Sequence, residues 1–444
     1  MDCWRGPDPW VLMHVCRQWR VAATHTRSIW SKIMLATSNI ANERRQDGYE
    51  FCHSVALLRN ALARAGEGPI DLYCKFGRFS CSIPQRDYWA TPQQMVDVLR
   101  ETGAHHRIRF LEMRKPSSET MEEVEKIDLG GFQLLALKET ILNWSFQGLN
   151  ECIQKTAPQL RRLYIPRTYD NAQYDWDLSK LISLSDLELA KKADSGLEAV
   201  RMISSAPNLV KLSLTSVAIE PPTGEPISVP TLRELRLQYT RIKCKVMFPG
   251  LRILSIDKST LLTSASQPLI LPSLALLELV ELKADECPHI HARSLQKLEM
   301  CSFTRSVRIL ERLFELTILP GHLRTRSIRL HSAYVDSEAL ADVLDQMPGL
   351  VEIHLGNKFP VDKPFFEELA GYSLHSSSIS DPREPICTSL ETIKLDTSWI
   401  PRLATKLAMI KWLRKAVGAR AKGPFPLKEA LLKEEYNEPW VSLL

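Results

Sequence analysis

The phrase P-x-L-x-x-L-x-L, with Ile allowed for Leu, recurs along this chain and constrains its fold more than any other feature. It reads PQLRRLYI from Pro158, PNLVKLSL from Pro207, PTLRELRL from Pro230, PGLRILSI from Pro249, PSLALLEL from Pro272 and PGLVEIHL from Pro348. Proline-free versions are SLSDLEL (183–189), SLQKLEM (294–300) and SLETIKL (389–395), with weaker copies in RIRFLEM (107–113) and RSIRL (326–330). The first leucines of the central run are Leu160, Leu184, Leu209, Leu232, Leu251, Leu274 and Leu295, spaced by 24, 25, 23, 19, 23 and 21 residues. The L-x-L pair alternates with polar residues, the mark of a short strand with one buried face. The proline cannot continue a helix, so it separates each strand from the segment behind it. SGLEAVRMISSA (195–206) and SEALADVLDQM (337–347) have apolar residues at helical spacing, and TPQQMVDVLRETG (91–103) opens with a Thr cap and a Pro at the first helical position.

One such unit cannot bury its own apolar face, whereas stacked units share a continuous core. A period of about 20–29 residues is that of leucine-rich repeats. The expected fold is therefore an α/β solenoid: a ribonuclease-inhibitor-like curved parallel sheet with outer helices. A doubly wound sheet would need longer apolar strands and a Gly-rich phosphate loop, and the sequence has neither. Residues two and four after the first Leu point away from the buried pair. They run from Arg162 and Tyr164 to Lys297 and Glu299, and Tyr164, Arg236 and Ile253 are the contacts expected for a bound protein target. The gap of 40 from Leu350 to Leu390 requires an insertion, expected as a helix at FFEELAGYSL (365–374) and a disordered loop at HSSSISDPREP (375–385).

Other chemistry is thinly represented. A net charge of +5 from 57 basic and 52 acidic residues gives no basic face for nucleic acid. The ten cysteines are scattered without a CxxC, so a reduced chain is expected, cytoplasmic or nuclear, with Cys16 and Cys301 as small buried apolar residues. The most apolar window, PLILPSLALLELVEL (268–282), is too short and too polar to span a bilayer, and the residues MDCWRGPDPW hold no apolar signal core, so secretion is not expected. CPHIH (287–291) sets Cys287, His289 and His291 at alternating positions, but an inter-repeat loop with ordinary histidines is the expected reading; the same holds for His105 and His106. With no P-loop, GxSxG or HExxH, the chain is expected to be non-catalytic and to use no cofactor or metal.

The stretch DPWVLMHVCRQWRVAATHTRSIW (8–30) is of another kind. Asp8 and Pro9 form a helix start, and Leu12, Val15, Cys16, Trp19, Ala22 and Ala23 share one helical face. A break at ATHT (23–26) precedes a second short helical piece, RSIWSKIML (27–35). The pattern W-V-L-x-x-V-C-R-x-W-R-x-x-A followed by T-R-x-I-W resembles the C-terminal half of an F-box, as in the F-box-like leucine-rich-repeat proteins of mushroom-forming fungi. ALLRNALARAGEGPIDLYCKF (56–76) resembles that family's helix and first strand.

The resemblance implies that Trp10, Val11, Leu12, Val15, Trp19, Ile29 and Trp30 dock on the Skp1 adaptor. It also implies that the chain is the substrate-recognition subunit of an SCF-type E3 ubiquitin ligase, holding an unknown protein on its repeats. An F-box normally opens with a Leu-Pro-x-Glu-like helix, which this sequence does not carry ahead of Met1; the alternative is a non-ligase scaffold that has lost Skp1 docking. The expected division is a partial F-box module (1–36), a connecting helix (37–66), the solenoid (67–400) and a C-terminal capping helix with a tail (401–444). In the last part, RLATKLAMIKWLRKAVGARAKG (402–423) holds seven Lys or Arg residues and no acid, with Leu403, Leu407, Ile410, Leu413 and Val417 as its apolar stripe. Covering the last repeat is the expected role, a membrane-surface helix the alternative. The tail is expected to be loose until Trp440 finds a surface. A monomer that binds neither nucleic acid nor membrane is expected.

Overall fold

The structure is a computed structural model. It describes residues 16–36, 50–76, 90–116, 120–165, 176–190, 196–219, 227–243, 245–261, 263, 268–282, 288–301, 325–331, 340, 344–345, 347, 349–356, 363–371, 385, 387–398, 400, 403–433 and 439–444. The chain divides into two compact units, Met1–Leu212 and Ser213–Leu444.

In the first unit the strands are β1 (Lys32–Ala36), β2 (Glu50–Cys52), β3 (Ile70–Lys75), β4 (Ile108–Met113), β5 (Glu139–Leu142), β6 (Arg162–Ile165) and β7 (Asp186–Ala190). β1 lies between β2 and β3; from β3 to β7 each strand pairs with the next, and every pairing is parallel. Parallel neighbours require crossover connections. Here these hold the helices Val55–Ala65, Pro92–Glu101 and Gln147–Thr156, and a further helix, Gly196–Ser205, follows β7. The Thr91 hydroxyl accepts from the Gln94 N–H while the Gln94 side chain accepts from the Thr91 N–H, a reciprocal cap that fixes where the second helix begins.

The second unit repeats this ladder. Glu234–Gln238, Ile253–Asp257, Leu276–Val280, Lys297–Cys301, Ser327–His331, Glu352–Leu355, Thr392–Asp396 and Glu429–Lys433 pair parallel in sequence order, and Val441–Ser442 closes the series antiparallel. Between residues 213 and 301 the described connections carry two-residue strands, such as Ala218–Ile219, Arg241–Ile242 and Thr260–Leu261, which pair among themselves. Repeat length is the cause. The 25-residue step from Leu184 to Leu209 has room for the ten-residue helix Gly196–Ser205, whereas steps of 19 to 23 residues cross back in extended form.

Each repeat is held by the same few bonds. The first Leu donates its N–H to the carbonyl three residues back, as Leu232 does to Val229, Leu251 to Phe248 and Leu274 to Leu271. The residue before the proline is buried in that turn: Val229, Phe248 and Leu271 are all in the core. Past each strand the chain takes a left-handed step at Ser216, Tyr239, Lys258 and Glu281, with φ of 57°, 52°, 45° and 49°. Their N–H groups donate to the carbonyls of Gln238, Asp257, Val280 and Cys301 on the next strand. That recurring bond offsets the cost of left-handed backbone in residues other than glycine. Each unit thus shows the strand-by-strand stacking of a leucine-rich-repeat solenoid.

Several expectations need correction. RSIWSKIML is helical only as the 3-10 turn Arg27–Trp30; Lys32–Ala36 is a strand, because Ile33 and Leu35 alternate with Lys32 and Met34 and pair on both sides. The ladder therefore begins before residue 67. It also continues past 400: the helix Leu403–Lys422 is a crossover between Thr392–Asp396 and Glu429–Lys433, whose Ala430 and Leu432 add to the core. Its apolar stripe is Met409, Ile410, Leu413, Ala416 and Val417, while Leu407 is 55% exposed. Cys16 is exposed just ahead of the helix Arg17–His25, and Cys301 is half-exposed on the open side of the strand Lys297–Cys301. Among FFEELAGYSL, the helix is Lys363–Ala370. SEALADVLDQM for the most part, and residues 375–384, lie outside the described residues.

Candidate protein-interaction face

The strand alternation leaves one face of each ladder open. In β6, Arg162 and Tyr164 are half-exposed while Leu163 and Ile165 are buried; Asp186 and Glu188 take the equivalent places in β7. Register carries this across the first unit, where Phe51, Met34, Tyr73, Glu112, Ile141, Tyr164 and Glu188 stand side by side on successive strands. Phe110, in the adjoining row, packs on Tyr73 with ring centroids 5.1 Å apart. The result is an aromatic and aliphatic row across one sheet face, which the repeat pattern alone did not reveal because half of its members precede the clear repeats.

The charges on this face are paired with each other. Arg109 forms a bidentate contact with Asp71 at 2.8–3.0 Å, and that bond holds its guanidinium above the usual range. Arg114 reaches Glu112 at 2.7 Å, and Arg162 lies 3.5 Å from both Glu139 and Asp186. Such half-exposed pairs add little stability, but they cancel the local charge and leave the apolar groups dominant. Burial, with the nearby Glu188 carboxylate, raises the Tyr164 phenol, which stays protonated as a donor.

In the second unit Arg236 is exposed and bonded to Glu234 of its own strand at 2.8 Å, and Ile253 is half-exposed beside Leu276 in register. Arg236 and Ile253 are thus close neighbours on paired strands, while Tyr164 belongs to the other unit. A further cluster escaped sequence reading. His331 and His354 meet edge-on at 5.1 Å, and Trp440 meets His354 at 5.2 Å, so the Trp440 ring does find a surface. Burial, then the Arg329 charge, lowers both imidazoles, His354 to about 4. Its members come from three distant segments, and the only signal was the alternating position of His354 in PGLVEIHL and of His331 just past the weak copy RSIRL.

Of the seven residues expected to meet Skp1, Trp10, Val11, Leu12 and Val15 lie outside the described residues. Trp19 is 52% exposed on the helix Arg17–His25, and Ile29 is half-exposed. Trp30 is fully buried, with the Arg64 guanidinium 4.9 Å above its ring and Arg64 paired to the buried Glu50. Its indole therefore anchors the N-terminal segment to the first strands.

No cluster of three metal-ligating side chains occurs among the described residues. In CPHIH, His289 is buried and His291 exposed on either side of the buried Ile290, and Cys287 lies outside the described residues. His105 is a core residue, its Nδ1 3.1 Å from the Leu99 carbonyl and its ring 4.9 Å from Phe132. No helix among the described residues is long and apolar enough to cross a membrane.

No protein-family model matches the chain, and no curated protein does. Twenty-six chains of solved structures match. One, from the crystal structure of a TLR13–ssRNA13 complex, aligns at a TM-score of 0.41 and 16% identity over 76% of this chain. The chain spans only 51% of that one, and at this level of agreement no residue role passes from one to the other.

Proposed function

We propose that this chain is a protein-binding scaffold that holds its target on the open face of the strand ladder. The observation that carries this reading is the row Phe51, Met34, Tyr73, Ile141 and Tyr164, set in register with the ion-paired Glu112 between Tyr73 and Ile141, on a face whose charges neutralise one another. Half-exposed aromatic side chains of this kind give large contact area at low entropic cost. Within this reading the chain serves as the substrate-recognition subunit of an SCF-type ligase, and Skp1 contacts the N-terminal segment. The resemblance of residues 10–30 to an F-box supports it, as does the exposed Trp19. The receptor performs no chemistry of its own; it raises the effective concentration of a target near the ubiquitin-charged enzyme. The alternative is the same scaffold without Skp1. Photo-crosslinking tests target placement. A benzophenone amino acid at position 164 is expected to capture the target, and one at the exposed Ile182 is not; capture from 182 alone would place the target elsewhere.

A further inference from the structure

The helix Leu403–Lys422 has twenty residues and no acid. Its inward side is filled by Met409, Ile410, Leu413, Ala416 and Val417, and Trp412 meets Phe366 of the helix Lys363–Ala370 at 6.4 Å. One cation, Arg420, turns inward and donates to the carbonyls of Phe425, Cys387 and Leu390. Lys411, Arg414, Lys415 and Lys422 instead face outward, exposed, and no ion pair joins any of them to another described residue. At 3.6 residues per turn these four fall in a stripe roughly 100° wide and about 16 Å long. Gly418 sits in the middle of the stripe, and nothing lies within 4 Å of where its Cβ would be.

We propose that this stripe is a docking site for an acidic protein segment, a run of Asp and Glu lying along the helix. The argument is charge complementarity at a narrow, straight surface. Four outward cations with no opposing carboxylate attract a polyanion, and Arg414 can grip a carboxylate with two parallel bonds. Gly418 leaves the backbone open, so a partner chain can lie close to the helix axis. A membrane fits the site less well, because the apolar side that would insert is buried in the repeat and, among the residues of the helix whose burial is described, Leu407 is the one large apolar side chain left exposed. Nucleic acid fits less well too, because no aromatic side chain lies in the stripe to stack on bases. This site is separate from the open strand face and does not depend on the function proposed for it.

The test is anisotropy of a fluorescein-labelled peptide of alternating Glu and Gly, about as long as the stripe, titrated with the full chain at low salt. The expected result is binding that weakens as salt is added. The variant K411Q/R414Q/K415Q/K422Q should bind about tenfold more weakly or worse, with an unchanged thermal midpoint. Phosphatidylserine vesicles and a single-stranded oligonucleotide run alongside. No peptide binding, equal binding by the variant, or stronger retention of vesicles or oligonucleotide through the same four residues would each overturn the proposal.

Discussion

At the scale of single residues, the fold depends on polar groups placed where the repeat would otherwise leave carbonyls bare. Arg420 is 2% exposed and holds two carbonyls of the turn that begins the 387–395 repeat, Cys387 and Leu390, and a third, Phe425, just past its own helix. Arg420→Met keeps the apolar stem and loses the donors, so it should cost about 2 kcal/mol, read as a fall in the urea midpoint. Ser216 has φ of 57° and needs only its N–H for its bond to Gln238. Ser216→Gly should therefore gain about 0.5–1 kcal/mol, the left-handed penalty less the added chain entropy. The lowered histidines give a pH dependence with a definite sign. His354 titrates at about 4 in the fold against an ordinary value near 6.5, and His331 and His105 are lowered as well, in each case chiefly by burial. The unfolded chain then binds more protons than the folded one across that window. The stability they contribute is full above about pH 6.5 and is lost as pH falls toward 4. Arg329, Lys394, Glu299, Glu352 and Asp396 surround the pair. The thermal midpoint should fall between pH 7 and 5, and His354→Phe should flatten that slope; a midpoint flat over that range would contradict the placement of these rings.

At the scale of elements, the strands of the regular repeats and the longer connecting helices were legible, and the short extended connections were not. Each L-x-L is its own evidence, because period-two burial is a local property. The helix Pro92–Glu101 was equally plain, since its cap and its proline are adjacent in sequence. RSIWSKIML misled because Ile29, Trp30, Ile33 and Leu35 fit a helix as well as a strand, and only pairing with β2 and β3 decides between them. The stripe of the last helix was right at Ile410, Leu413 and Val417 and wrong at Leu407, for a related reason. With apolar residues at Leu407, Met409, Ile410, Leu413, Ala416 and Val417, the sequence allows two faces, and packing on Lys363–Ala370 selects one. The candidate face was legible only where the repeats are regular: Tyr164 was found from spacing, but Met34, Phe51 and Tyr73 stand on strands with no repeat signature. Trp30 tests the first of these elements. Trp30→Ala should cost about 3–5 kcal/mol, whereas Trp19→Ala, at an exposed site, should leave stability within about 0.5 kcal/mol.

At the scale of the whole molecule, two ladders present open faces of different character. The first unit offers an apolar row with cancelled charges; the second offers Ile253 and Leu276 amid a mixed field of ions, then a histidine and tryptophan cluster. A target that uses the first should survive raised salt, because burial rather than charge holds it. Replacing Tyr73, Phe110 and Tyr164 with Ser should abolish target capture and leave the chain folded by circular dichroism. The claim on which the ligase reading turns is that the N-terminal segment recruits Skp1. The direct measurement is co-elution of the purified 444-residue chain with Skp1 from the same organism on size exclusion, repeated with Trp19→Ala. The account expects a complex with the unaltered chain that weakens in the variant while its thermal midpoint is unchanged. A folded chain that elutes apart from Skp1, with or without Trp19, would contradict the receptor role and leave a scaffold alone.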